Sequence, residues 1–440
     1  MNGHRPVGRV LLAAALLAVL ARGVACWRFS GNLNDDRDAY LGIAQGVREG
    51  RGFSIPGTDV PTAYRPPLYP LLLAPISGPD AIVARAALHA ILGGLTAAAT
   101  VWLAAIAGCS TARQLAAGVI VAVDPLLVYY STLPMTETLA AALSAGLLAC
   151  AAAACRSSNP RAQVGLGCAA GGLFGLCVLC RPTYWAFALW ANAFGLWQWV
   201  RDRRQRGSES PASSEPAHRN RGVDWLLAGL MFAVIVVPWP LRNWRVFGRP
   251  IVTTTHGGYT LLLGNNPAYY REVVAQPLGT IWDGSHGPGL EAWQADIERD
   301  MTAAGVKGDI ARDRWMRQQA LRTIRKQPER FAQACMRRCL AFWSISPGGG
   351  SAIDAGALRH VISVFYVGLW GAVILGLAAA LRRGGCAVEV SLLLTAAFVS
   401  VHLFYWTDAR MRAPVMPAAA LLASLAGSGV RRGPGGAMAT

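Results

Sequence analysis

The chain has 440 residues, 53% of them apolar and 15% charged, with a mean hydropathy of +0.34. This excludes a disordered chain and argues against an ordinary soluble globule, in which about a quarter of the residues are charged. The net charge of +17 comes from 41 basic and 24 acidic residues, and it acquires meaning only once the residues that carry it are placed.

Apolar runs predict spans near 8–26, 80–107, 114–131, 134–154, 163–180, 183–200, 223–240, 358–381, 388–406 and 412–428. At roughly 20 residues per crossing, about ten spans leave half the chain outside the lipid. The expected class is therefore an all-α polytopic membrane protein. The first run, preceded by Arg5 and Arg9 and closed by Gly23 and Ala25, reads as a signal peptide or a signal anchor; the many spans that follow fit the anchor. Short connections rich in arginine (Arg113, Arg156, Arg161, the 201–222 linker, Arg382, Arg383, Arg431, Arg432) set the orientation by the positive-inside rule, with both termini cytoplasmic. The chain then divides into an N-terminal transmembrane module 1–240 with an external loop 27–79, an extracytoplasmic region 241–357, and a C-terminal module 358–440. Within 241–357 a basic amphipathic helical stretch near 291–343 carries Trp315, Ala320, Leu321 and Ile324 at helical spacing, a pattern typical of a helix on the lipid surface.

Six arginines break the orientation rule by falling at the external side: Arg65, Arg181, Arg242, Arg245, Arg410 and Arg412. A guanidinium near the membrane needs a partner or a purpose. Each could pair with a lipid phosphate or a local acid, whereas the set together suits an anionic ligand, because arginine binds phosphate oxygens bidentately. Acids stand nearby in NLNDDRDAYLGIAQGV. Asp36 and Tyr40 are four apart and share a face on a helix. Asp35 or Asp36 could act as a general base or cap the helix that follows. Glu137 opens a span, where it also complements the helix dipole.

Other signals are weak. No phosphate-binding glycine loop and no His-Glu-x-x-His motif is present. His256, in THGGYTLLLGNNP, reads by default as a loop histidine satisfied by backbone. The ten cysteines, mostly inside apolar runs, read as packing residues. The basic charge is taken up by topology and the membrane surface, so no nucleic-acid partner is expected.

Four segments together resemble the polytopic GT-C glycosyltransferases that use polyprenyl-phosphate sugars, such as protein O-mannosyltransferases and aminoarabinose transferases (glycosyltransferase family 39-like). They are Asp36-x-x-x-Tyr40 with PTAYRPPLYPLLLA, DPLLVYYSTLPMTETLAAAL, VPWPLRNWRVFGRP continuing to LLLGNNP, and HLFYWTDARMRAPVMPAAALLA. The resemblance implies a GT-C helical bundle with a catalytic acid in the first external loop; the near absence of lysine (only Lys307 and Lys326) and the alanine-rich spans suggest a GC-rich bacterial genome, and with it a bacterial plasma membrane. Asp36 takes that position, Arg37 stands where Glu is common, and Asp35 is the alternative. It also implies that Arg242 and Arg410, with Arg65, Arg181, Arg245 and Arg412, hold the lipid phosphate, with Tyr40, Glu137 and Asn265 near the sugar. The implied reaction is an inverting hexosyl or pentosyl transfer to a glycan, lipid or protein hydroxyl. Some enzymes of this fold use a divalent ion, which leaves a metal open. The competing classes are a lipid or solute transporter or flippase, a surface-glycan polymerase or ligase, and a non-catalytic relative.

Overall fold

The computed structural model describes residues 4–206, 221–346 and 356–427. Among these no strand forms, and a bridge between Ser54 and Pro61 is isolated. In chain order the helices are α1 (His4–Arg28), α2 (Tyr40–Arg48), α3 (Leu68–Leu73), α4 (Ile82–Ile106), α5 (Thr111–Val123), α6 (Pro125–Tyr130), α7 (Glu137–Arg156), α8 (Pro160–Cys180), α9 (Trp185–Arg206) and α10 (Arg221–Val236). They continue with α11 (Pro238–Phe247), α12 (Gly257–Gly264), α13 (Pro267–Tyr269), α14 (Gly289–Ala303), α15 (Asp309–Lys326), α16 (Pro328–Phe342), α17 (Gly356–Arg383), α18 (Cys386–His402) and α19 (Met416–Ser424). The chain is an all-α polytopic membrane protein.

Six stretches among the described residues are long and apolar enough to cross a bilayer: Val7–Arg28, Ile82–Ile106, Glu137–Arg156, Pro160–Cys180, Leu226–Phe247 and Leu358–Arg383. The other apolar runs also fold as helices, but two depart from single spans. The run near 114–131 breaks at Asp124, whose Oδ1 accepts the Leu127 N–H at 2.9 Å and caps α6 behind Pro125; a proline fits the first helical turn because its missing N–H is not needed there. The run near 412–428 splits into a 3₁₀ segment, Ala409–Val415, and α19, all nine residues of which are buried. α19 is therefore a core helix packed against α17, α5 and α4.

α1 packs on α4 and α5, α4 on α7, α7 on α8, and α8 on α10. Arg22, buried in the first span, donates to Ala122 O (3.0 Å) and Val121 O (3.3 Å) at the C-terminal end of α5, where the helix dipole favours a cation. Gly93 of α4 leaves the room that the Arg22 stem fills. None of the ten cysteines forms a disulfide.

The region after α11 has a hydrophobic cluster of its own, including Leu262, Tyr270, Trp282, Trp293, Met301 and Met316. The basic helical stretch is three helices, α14 to α16, and the Met316 and Ala320 stripe of α15 packs against α12. Of the expected stripe, Ala320 and Trp315 thus face protein, whereas Leu321 is exposed. Buried Arg338 on α16 donates to Leu403 O (2.5 Å), Gly264 O (2.7 Å) and Asn265 Oδ1 (2.8 Å), tying this region to the end of α18.

Candidate active site at the helix ends

Glu137 is the first residue of α7, Arg181 follows α8, and Arg410 lies in the 3₁₀ segment between α18 and α19. The fold gathers these ends beside the loop that joins α1 to α4. Arg85 of α4 holds that loop down: it donates to Leu33 O (3.0 Å), Ile76 O (2.7 Å) and Gly78 O (2.8 Å), and also to the Asn34 side chain. Arg242 of α11 secures the loop's far side by donating to Phe53 O (2.9 Å) and Thr62 O (3.0 Å).

At the centre is Asp38. Arg65 Nη2 lies 3.0 Å from its Oδ1, and Arg410 Nη1 lies 3.2 Å from its Oδ2. Arg65 also donates through Nε to the Asp38 carbonyl (2.7 Å), and its guanidinium sits over the rings of Tyr40 and Tyr64 at 5.2 and 4.9 Å. Arg181 pairs with Glu137 at 2.7 Å and donates to Thr136 Oγ1 at 2.8 Å. Arg410 reaches Glu137 at 3.9 Å and Asp408 at 3.3 Å. Three guanidiniums thus meet three carboxylates. Side-chain exposure runs from 2% for Glu137 to 21% for Arg410, apart from Asp408 at 44%. The group is largely desolvated and still open to a ligand. Glu137 Oε2 is buried without a partner, an unmet hydrogen-bonding capacity that costs about 1–3 kcal/mol in a closed protein.

The backbone around Asp38 is strained. Ala39 adopts the left-handed conformation (φ 62°, ψ 18°), unusual for a residue with a Cβ and typical of positions held by their surroundings at functional sites. Burial works to raise the Asp38 carboxyl, but Arg410 and Arg65 together outweigh it and hold the group below the usual carboxylate range.

The structure separates the expected residues. Arg65, Arg181, Arg410, Glu137 and Tyr40 come together. Asp36 does not join them: its oxygens accept the N–H groups of Leu41 (2.9 Å) and Gly42 (2.7 Å) at the start of α2. Asp35 pairs with Arg37 at 2.6 Å on the exposed side. Arg242 serves as a loop clamp, Arg245 is exposed, and buried Arg412 donates to Phe342 O (3.1 Å) and Ser344 O (2.5 Å). Asn265 is a buried link to Arg338, Tyr270 and Phe404 O. Asp38 and Asp408 were not singled out from sequence. Asp38 lies two residues before Tyr40, and the reading of Asp36 with Tyr40 assumed a helix that in fact begins only at Tyr40.

His256 stands beside the cluster, its ring 4.3 Å from that of Tyr64 and 5.2 Å from that of Tyr259. Contrary to the default reading, its Nδ1 has no partner. Desolvation, with the positive charge of Arg65 and Arg410, holds the imidazole well below its ordinary value of 6.5. Among the described residues no group of three His, Cys, Asp or Glu side chains is placed to hold a metal ion. The metal that the resemblance leaves open has no fitting cage among these residues.

No protein-family model matches the chain, and no curated protein does. Solved structures similar in fold include two of an archaeal oligosaccharyltransferase. One is the archaeal oligosaccharyltransferase AglB from Archaeoglobus fulgidus in complex with an inhibitory peptide and a dolichol-phosphate: 14% identity, TM-score 0.50, covering 95% of this chain and 50% of that one. The other is the Archaeoglobus fulgidus oligosaccharyltransferase in the apo form: 15% identity, TM-score 0.52, with the same coverage. The chain spans about half the length of the structures it matches. The likeness is one of fold, a GT-C type helical bundle.

Proposed function

We propose that the chain is a membrane glycosyltransferase that moves a sugar from a polyprenyl-phosphate donor to an acceptor hydroxyl at the outer face of a bacterial plasma membrane. The observation that carries this reading is the convergence of Arg65, Arg181 and Arg410 on Asp38 and Glu137 at one end of the bundle. A guanidinium cluster at helix ends suits a phosphate at the bilayer boundary. The fold it shares with a structure holding a dolichol-phosphate supports a lipid-linked donor.

Asp38 is the carboxylate best placed to act on the acceptor. Without donor it is a weak base, because Arg65 and Arg410 bind both of its oxygens. A donor phosphate competes for those guanidiniums, and as they turn to it the carboxylate regains basicity. It then takes the acceptor hydroxyl proton while the hydroxyl oxygen bonds to the anomeric carbon. The bond from that carbon to the phosphate oxygen breaks, and its electron pair leaves on the lipid phosphate. The arginines stabilise charge that grows in the transition state, the form of binding that raises rate. A single displacement inverts the anomeric centre. Asp36, by fixing the start of α2, orients the turn that carries Asp38. The sequence-based assignment of Asp36 or Asp35 as base is kept as the alternative that mutagenesis distinguishes.

The test is sugar transfer by the full chain in proteoliposomes supplied with polyprenyl-phosphate sugars and envelope acceptors. Release of polyprenyl phosphate that depends on acceptor, with an inverted product, supports the reading. Movement of the lipid across the bilayer with no sugar transferred overturns it in favour of a flippase.

A further inference from the structure

A second concave site lies outside the arginine cluster. A cavity of about 530 Å³ opens between the tip of the first loop, the end of α11 and the start of α15, within the size range of small-molecule sites. Ile55, Val60, Phe247 and Ile310 give it apolar walls, and Arg249, Lys307 and Arg314 add three cations. The acid that also lines it, Asp309, is already engaged: its Oδ2 accepts from Thr62 Oγ1 at 2.5 Å and lies 3.5 Å from Thr255 Oγ1. With these three cations against one acid, the net charge of the lining is positive.

The cavity is joined to the cluster by chain. Pro61 lines it and Arg65 holds Asp38; four residues span at most about 14 Å when extended. Arg242 fixes the same strip through Phe53 O and Thr62 O. A molecule seated in the cavity is thus held by the segment that carries one of Asp38's arginine partners.

We infer that this cavity is the acceptor subsite and that the acceptor carries an anionic group, a phosphate or carboxylate next to an apolar or sugar body. This rests on the transferase reading and adds what that reading lacks, the chemical class of the acceptor. The anion meets Arg249, Lys307 and Arg314, the apolar portion lies along Ile55, Val60 and Ile310, and the reacting hydroxyl points toward Asp38.

The experiment is calorimetric titration of the full chain in phosphatidylcholine nanodiscs with hexyl phosphate, inorganic phosphate and hexyl glucoside, and separately with polyprenyl phosphate. Hexyl phosphate is expected to bind saturably, at least ten-fold tighter than hexyl glucoside. The combined variant Arg249→Ala, Lys307→Ala, Arg314→Ala is expected to weaken hexyl phosphate at least ten-fold and to keep polyprenyl phosphate binding. Ile310→Glu, which sets a negative charge in the cavity, is expected to abolish hexyl phosphate binding. Hexyl phosphate binding more tightly than inorganic phosphate supports a lipid- or glycan-borne anion, whereas equal affinity shows that the apolar walls take no part and overturns the acceptor subsite. Unchanged hexyl phosphate affinity in the triple variant, or equal affinity for the glucoside, overturns the subsite. Failure of polyprenyl phosphate to bind the unmodified chain is a separate result and counts against the transferase reading itself.

Discussion

Arg410 Nη1 lies 3.2 Å from Asp38 Oδ2, joining two residues 372 positions apart. One belongs to the loop after α1 and the other to the segment before α19, so the contact joins an early and a late part of the chain at one spot. Asp38 cannot leave this pair without uncovering a second guanidinium, Arg65, on its other oxygen.

Asp38→Asn is expected to lower sugar transfer by about 10²-fold or more, the range for loss of a general base. Asp36→Asn keeps an oxygen that can accept from the start of α2 and is expected to cost less than about ten-fold, since asparagine caps nearly as well as aspartate. Initial rates in proteoliposomes measure both. A large loss from Asp36→Asn with full activity in Asp38→Asn returns the role to Asp36.

The arginines separate by role. Arg410→Gln and Arg65→Gln are expected to raise the donor KM about ten-fold or more while the chain remains folded. Arg242→Ala uncovers the Phe53 and Thr62 carbonyls, so its expected effect is a stability loss of about 1–3 kcal/mol. Donor KM and thermal unfolding of each variant in detergent distinguish the two patterns; a donor-specific defect in Arg242→Ala with normal stability would place it at the phosphate after all.

Helix contact through glycine gives a prediction about the bundle alone. A Cβ at Gly171 on α8 collides with the backbone carbonyl of Ala228 on α10, whereas one at Gly165 meets nothing within 4 Å. Small residues are what let helices approach this closely in a membrane. Gly171→Ala is expected to cost about 1–3 kcal/mol through overpacking, and Gly165→Ala to be neutral or slightly stabilising. Unfolding in mixed micelles provides the comparison.

His256 supplies a pH dependence. Its folded-state value lies well below 6.5, so below that pH the unfolded chain binds a proton that the folded chain refuses. Its contribution is therefore constant above pH 6.5, and stability falls by about 1.4 kcal/mol for each unit below it. His256→Gln is expected to flatten the drop in unfolding temperature between pH 6.5 and 5.5; an identical drop in both proteins excludes His256 as its source.

Much of the fold was legible in the sequence because a bilayer imposes simple rules. Uncharged runs of span length, helix-starting prolines at 125, 160 and 238, and arginines at the wrong ends of apolar segments are local signals. Three of the six marked arginines do converge on one site. Composition could not tell which three, because a guanidinium that clamps backbone carbonyls, as Arg242 and Arg412 do, has the same local sequence signature as one that faces a ligand.

The sequence by itself determined that the chain is a helical membrane protein with excess arginine near its loops, since both properties follow from hydrophobicity and charge read residue by residue. Tertiary structure alone decided that Asp38 and not Asp36 meets Arg65 and Arg410, that Glu137 lies buried between Arg181 and Arg410, and that His256 is left with an unpaired nitrogen. The physical reason is that ion pairing and desolvation act through space. α2 begins at Tyr40 after a left-handed turn at Ala39, and that turn decides which of three neighbouring aspartates faces the arginines.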